Sequence, residues 1–95
     1  MEEAKLSEIR QQIDTIDTEL IALLNARADL VHEVGLIKKE AGLSIYAPER
    51  EESLLQALVR KSEGRLPDHS IRAIYREIMS ASLALEKERS EQGQR

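Results

Sequence analysis

The sequence predicts an all-α fold: one long, one short and one medium helix per chain, in a chain that pairs with a second copy of itself. Three observations carry this. Apolar residues recur at helical spacing in three blocks, and β-type alternation occurs nowhere. The first block is too long for a body of 95 residues to enclose. Glycine and proline fall between the blocks, apart from Gly35 and the tail residue Gly93.

The first block runs from Leu6 to Ala41. Steps of three and four return Leu6, Ile9, Ile13, Ile16, Leu20, Leu23, Arg27, Leu30, Val34, Ile37 and Ala41. This is a heptad seam with one charged interruption, Arg27, and no proline breaks it. A helix of about 36 residues is ~54 Å long. A compact globule of this size has a radius of gyration of roughly 12 Å. Such a rod projects from its own body with its stripe uncovered unless a second chain covers it. The expectation is an obligate oligomer, most simply a twofold dimer.

The remaining elements follow in order. Ser7 with Glu8 is a candidate cap for the first turn, blurred by Glu2 and Glu3. Gly35 costs about 1 kcal/mol inside a helix relative to Ala, and a close helix crossing is the plain reason to keep it. Gly42 suits the C′ position after Lys38, Lys39 and Glu40. Leu43 to Ala47 is a short link. Pro48 suits the first turn of the second helix, with Glu49, Glu51 and Glu52 near its positive end. That helix runs to about Ser62, with Leu54, Leu55, Leu58 and Val59 apolar. Gly64 and Pro67 mark the next turn, and Asp68 or Ser70 is the expected cap of the third helix. Its inner face reads Ile71, Ile74, Tyr75, Ile78, Met79, Ser82, Leu85 and Glu86. From Lys87 the chain is polar and is expected to fray.

Composition excludes several classes. The chain contains no Cys, so disulfides, thiolate chemistry and Cys-based metal sites are out. Its absence fits a reducing cytosol, and a cytoplasmic location is the expectation. The N-terminus leads into no signal-like apolar block. The longest apolar run, Leu20 to Leu24, is too short to span a membrane. Net charge is −4, no basic patch stands out, and Tyr46 and Tyr75 are the only aromatic residues. Neither nucleic acid nor a membrane is an expected partner. His32 and His69 are too isolated to suggest a zinc site.

The informative residues are polar ones on apolar faces. Arg27 occupies a seam position, and Lys38 lies about 20° from it on the helical wheel. Arg50 and Glu51 extend the inner stripe of the second helix, four residues before Leu54 and Leu55. Ser82 and Glu86 continue the Ile74–Ile78 line. Taken singly, each fits a structural role, such as a seam arginine that fixes register by pairing with Glu51 or Glu86. Taken together, three inward cations stand against two carboxylates, an excess that suits an anionic guest. Arg27 and Lys38 are ~16 Å apart along the axis, within reach of one small ring compound. Arg10 lies ~25 Å from Arg27, too far to serve the same guest in its own chain. In an antiparallel twofold dimer Arg10 passes the middle of the other chain, which gives two equivalent pockets built from both chains.

The segments Ile9-Arg10-Gln11-Gln12-Ile13-Asp14-Thr15-Ile16-Asp17, Leu23-Leu24-Asn25-Ala26-Arg27, Val34-Gly35-Leu36-Ile37-Lys38 and Pro48-Glu49-Arg50-Glu51 resemble the all-helical chorismate mutases. The likeness is strongest to the mutase domain of bifunctional chorismate mutase–prephenate dehydratases, over about residues 4 to 88. It implies a mutase domain over residues 1–88, with 89–95 a polar tail or linker stub. It implies an intertwined homodimer and the rearrangement of chorismate to prephenate, on the route to phenylalanine and tyrosine, with no metal or cofactor. Residue by residue, Arg10 matches the arginine donated across the interface, and Arg27 the in-chain arginine that grips a carboxylate. Lys38 matches the lysine on the ether oxygen and a carboxylate. Arg50 and Glu51 match the pair whose glutamate takes the substrate hydroxyl, and Ser82 a serine near the ring carboxylate.

Two positions depart from one common form of the pattern. Ala47 stands where some relatives place an aspartate whose backbone touches the hydroxyl, so only a backbone contact is expected. Glu86 stands where some members have glutamine beside the ether oxygen. A carboxylate there opposes the negative charge developing on that oxygen, so Glu86 is expected to serve only when protonated. Two other functions suit such a chain: an isochorismate–pyruvate lyase, which uses a similar cationic pocket, and a non-catalytic helical dimerisation or regulatory module.

Overall fold

A computed structural model describes residues 1–92, and the side chains through Glu88. Its elements are α1 (Glu2–Ala41), α2 (Pro48–Lys61) and α3 (Asp68–Gln92), with no strand among the described residues. The long–short–medium order is the one the apolar pattern predicts.

The boundaries show which local signals prevail. Helix α1 starts at Glu2, not near Ser7, so Ser7 and Glu8 lie inside it. The cause is ordinary propensity: Glu2, Glu3, Ala4 and Lys5 are good helix formers, and the two glutamates favour the positive end. At the other end Gly42 takes φ 70°, the left-handed region where a side chain is strained. Its N–H donates to the Lys39 carbonyl at 3.1 Å, and the Leu43 N–H donates to the Lys38 carbonyl at 2.7 Å. This pair of bonds is a Schellman motif, which satisfies carbonyls that a helix end leaves over.

Helix α2 opens on Pro48 with Ala47 at the N-cap and no side-chain cap. After it, Glu63 and Gly64 both take positive φ, 60° and 75°. For α3, neither Asp68 nor Ser70 is the cap. Asp68 is already helical, and the Pro67 carbonyl accepts from the N–H groups of Ser70 and Ile71. Helix α3 runs to Gln92, into the polar stretch from Lys87 that is expected to fray. Of the tail expected to be a linker, residues 93–95 lie outside the described residues.

The chain divides into two compact units. The first, Met1–Leu30, is the front of α1. Its seam residues Leu6, Ile9, Ile13, Ile16, Leu20, Leu23 and Leu30 are all 47–67 % exposed. Inside it, the hydroxyls of Thr15 and Thr18 donate to the carbonyls of Gln11 and Asp14, one turn back.

The second unit starts at Val31 and holds the end of α1, the link, α2 and α3. Its core is small: Leu55 on α2 and Met79 on α3 are buried, with Leu54, Leu58, Val59, Ile71, Tyr75, Ile78 and Leu85 half-buried around them. Arg72 donates to Glu52 at 3.3 Å, which ties α3 to α2 at the surface. Ile74, expected inside, is exposed. Buried Gly35 packs the end of α1 against α3 at Glu86.

Candidate active site

The site is built where the last turns of α1 meet α3. Lys38 sits one turn from the end of α1, and its carbonyl is held by the Leu43 N–H. Its ammonium donates to Glu86 Oε2 at 3.2 Å. The two side chains are only 22 % and 12 % exposed. An ion pair so shielded has few waters to screen it and little room to swing away.

Ser82 lies one turn before Glu86 on α3 and is half-buried, its hydroxyl donating to the Ile78 carbonyl at 2.9 Å. At the start of α2, the Ala47 carbonyl accepts from the Glu51 N–H at 3.1 Å, closing the first helical turn. Ala47 and Glu51 are half-buried, while Arg50 is exposed.

Glu51 also lines a groove of about 360 Å³ between α2 and α3. Leu55, Met79 and Leu83 form its apolar floor, and Tyr46, Glu52, Arg76 and Ser80 supply polar groups. Sequence reasoning missed Tyr46, Arg76 and Ser80. The signal was present as the spacing Arg76, Met79, Ser80, Leu83, one face of a helix. Nothing in that spacing says which face meets α2.

The second unit thus brings Lys38 and Glu86 into contact and holds Ala47, Arg50, Glu51 and Ser82 as well. Arg10 and Arg27 belong to the first unit, where Arg10 is exposed and Arg27 half-buried. Among the described residues there is no cluster of three or more metal-ligating side chains. No described helix is long and apolar enough to cross a membrane.

The family description "Chorismate mutase type II" matches residues 9–87. The chain belongs to the chorismate mutase type II family. Its match takes in Arg10, Arg27, Lys38, Ala47, Arg50, Glu51, Ser82 and Glu86. The chain is 45 % identical over 87 residues to a bifunctional chorismate mutase/prephenate dehydratase of Aquifex aeolicus, covering 87 % of this chain and 24 % of that protein. It therefore spans about a quarter of the length of that bifunctional relative. A chorismate mutase of Methanocaldococcus jannaschii is 32 % identical over 91 residues, covering 95 % of this chain and 92 % of that one. The solved chorismate mutase of Thermus thermophilus (form II) superposes with a TM-score of 0.85 at 38 % identity, over 87 % of this chain and 94 % of that chain. The all-α reading holds for the mutase family and for this chain alike, and mutases are isomerases.

Proposed function

We propose that this mutase domain converts chorismate to prephenate, in the cytoplasm, as a homodimer with two sites that each borrow Arg10 from the partner chain. The observation that carries the proposal is the shielded Lys38–Glu86 pair on a chain of this family. The exposed seam of residues 6–30 supports the dimer, because a lone helix with an apolar stripe gains most of its stability by packing that stripe.

The reaction is intramolecular. The ether C–O bond breaks as a C–C bond forms in the same molecule, so no atom is gained or lost and no nucleophile or base is needed. The protein has two tasks. The first is to hold an extended dianion in the compact conformer in which the reacting carbons meet. Arg27, Lys38 and the partner's Arg10 grip the two carboxylates, the arginines with two parallel bonds each. Ser82 supports the ring carboxylate. Glu51 accepts from the substrate hydroxyl beside the Ala47 backbone, and Arg50 adds positive charge at that end.

The second task is to stabilise negative charge on the ether oxygen as its bond lengthens. Lys38 can donate to that oxygen directly. Glu86 accepts from Lys38 as a carboxylate, and an ether oxygen is itself only an acceptor. Glu86 therefore contributes a bond to the oxygen only as the neutral acid. Loss of chorismate absorbance on adding the purified protein tests the proposal. An unchanged absorbance under conditions where the protein is folded and dimeric would sink it.

A further inference from the structure

We infer that Gly35 is a positioning residue for this reaction: the missing side chain sets the spacing at which Glu86 meets Lys38. The inference rests on the reading of Lys38 and Glu86 given under Proposed function.

A Cβ built on Gly35 falls 3.1 Å from Glu86 Cα, 3.2 Å from the Glu86 carbonyl oxygen and 3.5 Å from Glu86 Cβ. The first two atoms are backbone, so no rotamer change relieves the contact. Any side chain at position 35 must push α1 and α3 apart by a few tenths of an ångström. Lys38 is three residues further along the same face of α1 and bonds the carboxyl of that same Glu86 at 3.2 Å. The tight contact at Gly35 thus falls on the very residue whose side chain takes part. Glycine is here for spacing and not for backbone conformation, since Gly42 and Gly64 take positive φ and Gly35 does not.

The consequence separates position from stability. Lys38 rides on α1 and Glu86 on α3, so widening the crossing leaves the lysine undisturbed on its own helix. What moves relative to it is Glu86. Alanine is also the better helix former, which works in favour of α1. Gly35→Ala should therefore keep its helicity and its thermal midpoint, or gain slightly, while turnover falls.

The test is a kinetic cycle. Gly35→Ala is expected to lower kcat about 3- to 10-fold, scaled from the roughly hundredfold cost of a 1 Å misplacement, with KM little changed. In a Glu86→Ala background the same substitution is expected to cost less than about twofold, because no carboxyl remains to be displaced. Full turnover by the Gly35→Ala chain would overturn the inference. So would an equal loss in both backgrounds, or a Gly35→Ala chain that does not fold, which would make Gly35 a structural necessity instead. A wild-type chain without turnover sinks the functional reading along with it. Normal wild-type turnover beside an equally active Gly35→Ala chain sinks the Gly35 inference alone.

Discussion

The two units solve opposite problems with the same kind of helix. Residues 31 onward bury a small apolar core within the chain, with Leu55 and Met79 4 % and 8 % exposed, although Val34, Ile37, Leu43, Leu66 and Ile74 stay exposed. Residues 1–30 bury none, and their seam of Leu and Ile stands about half open to water. Covering seven such side chains is worth on the order of 10 kcal/mol. One unit has a core of its own, whereas the other presents an apolar stripe left largely open to water. The comparison also sorts the candidate site residues. Lys38 and Glu86 meet within a single chain, while Arg10 is exposed on the first unit, where the proposed dimer would recruit it.

Charging the seam should break this contrast most severely. Ile13→Glu combined with Leu20→Glu is expected to abolish dimerisation and activity together, and to reduce helicity by circular dichroism. Sedimentation at micromolar concentration checks it, and an active monomer would refute the shared-site reading.

Next in size is Lys38→Ala. Removing one donor to the developing charge typically costs about 3–4 kcal/mol of transition-state stabilisation, so kcat should fall some 10²- to 10³-fold in a folded dimer. The same variant sharpens the comparison when mixed with Arg10→Ala after joint unfolding and refolding. Half of the dimers are then mixed, and each carries one intact site, so about a quarter of wild-type activity should return. No recovery would mean that Arg10 does not cross the interface.

A smaller effect is expected from the self-contained unit. Leu55→Ala should destabilise the protein by about 2–5 kcal/mol in denaturant titrations while leaving turnover per folded molecule near normal. The smallest concerns Glu86. Glu86→Gln supplies an amide that can donate to the ether oxygen without the carboxylate's charge, so kcat is expected to stay close to the wild-type value, whereas Glu86→Ala loses the donor and should fall further. Equal turnover by Glu86→Ala and the wild type would remove Glu86 from the chemistry.

Much of this architecture was legible in the residues. Gly42 and Pro48 mark boundaries because each suits a backbone geometry that few other residues adopt as readily, and the pattern around them is unambiguous. Gly35 was legible as a crossing because a helix keeps a costly glycine only for a reason. Ser7, Asp68 and Ser70 misled because good cap residues also occur inside helices, and competing neighbours decide. Ile74 misled because it lies on the edge of an apolar stripe, where a small rotation decides between core and solvent. Among the site residues, spacing along α1 and α3 placed Lys38 and Glu86 on inward faces. Only tertiary packing shows that they touch. The groove residues Tyr46, Arg76 and Ser80 went unread for the same reason.

The hydrogen bond from Leu43 to the Lys38 carbonyl has a consequence for engineering. It knots the chain just beyond the helix, so slack added further along does not travel back to the lysine. A guest peptide placed around Ser44 and Ile45 is therefore expected to leave the ammonium group where it was, while disturbing the Ser44 hydroxyl, which accepts from the Tyr46 N–H at 3.1 Å, and the nearby Ala47.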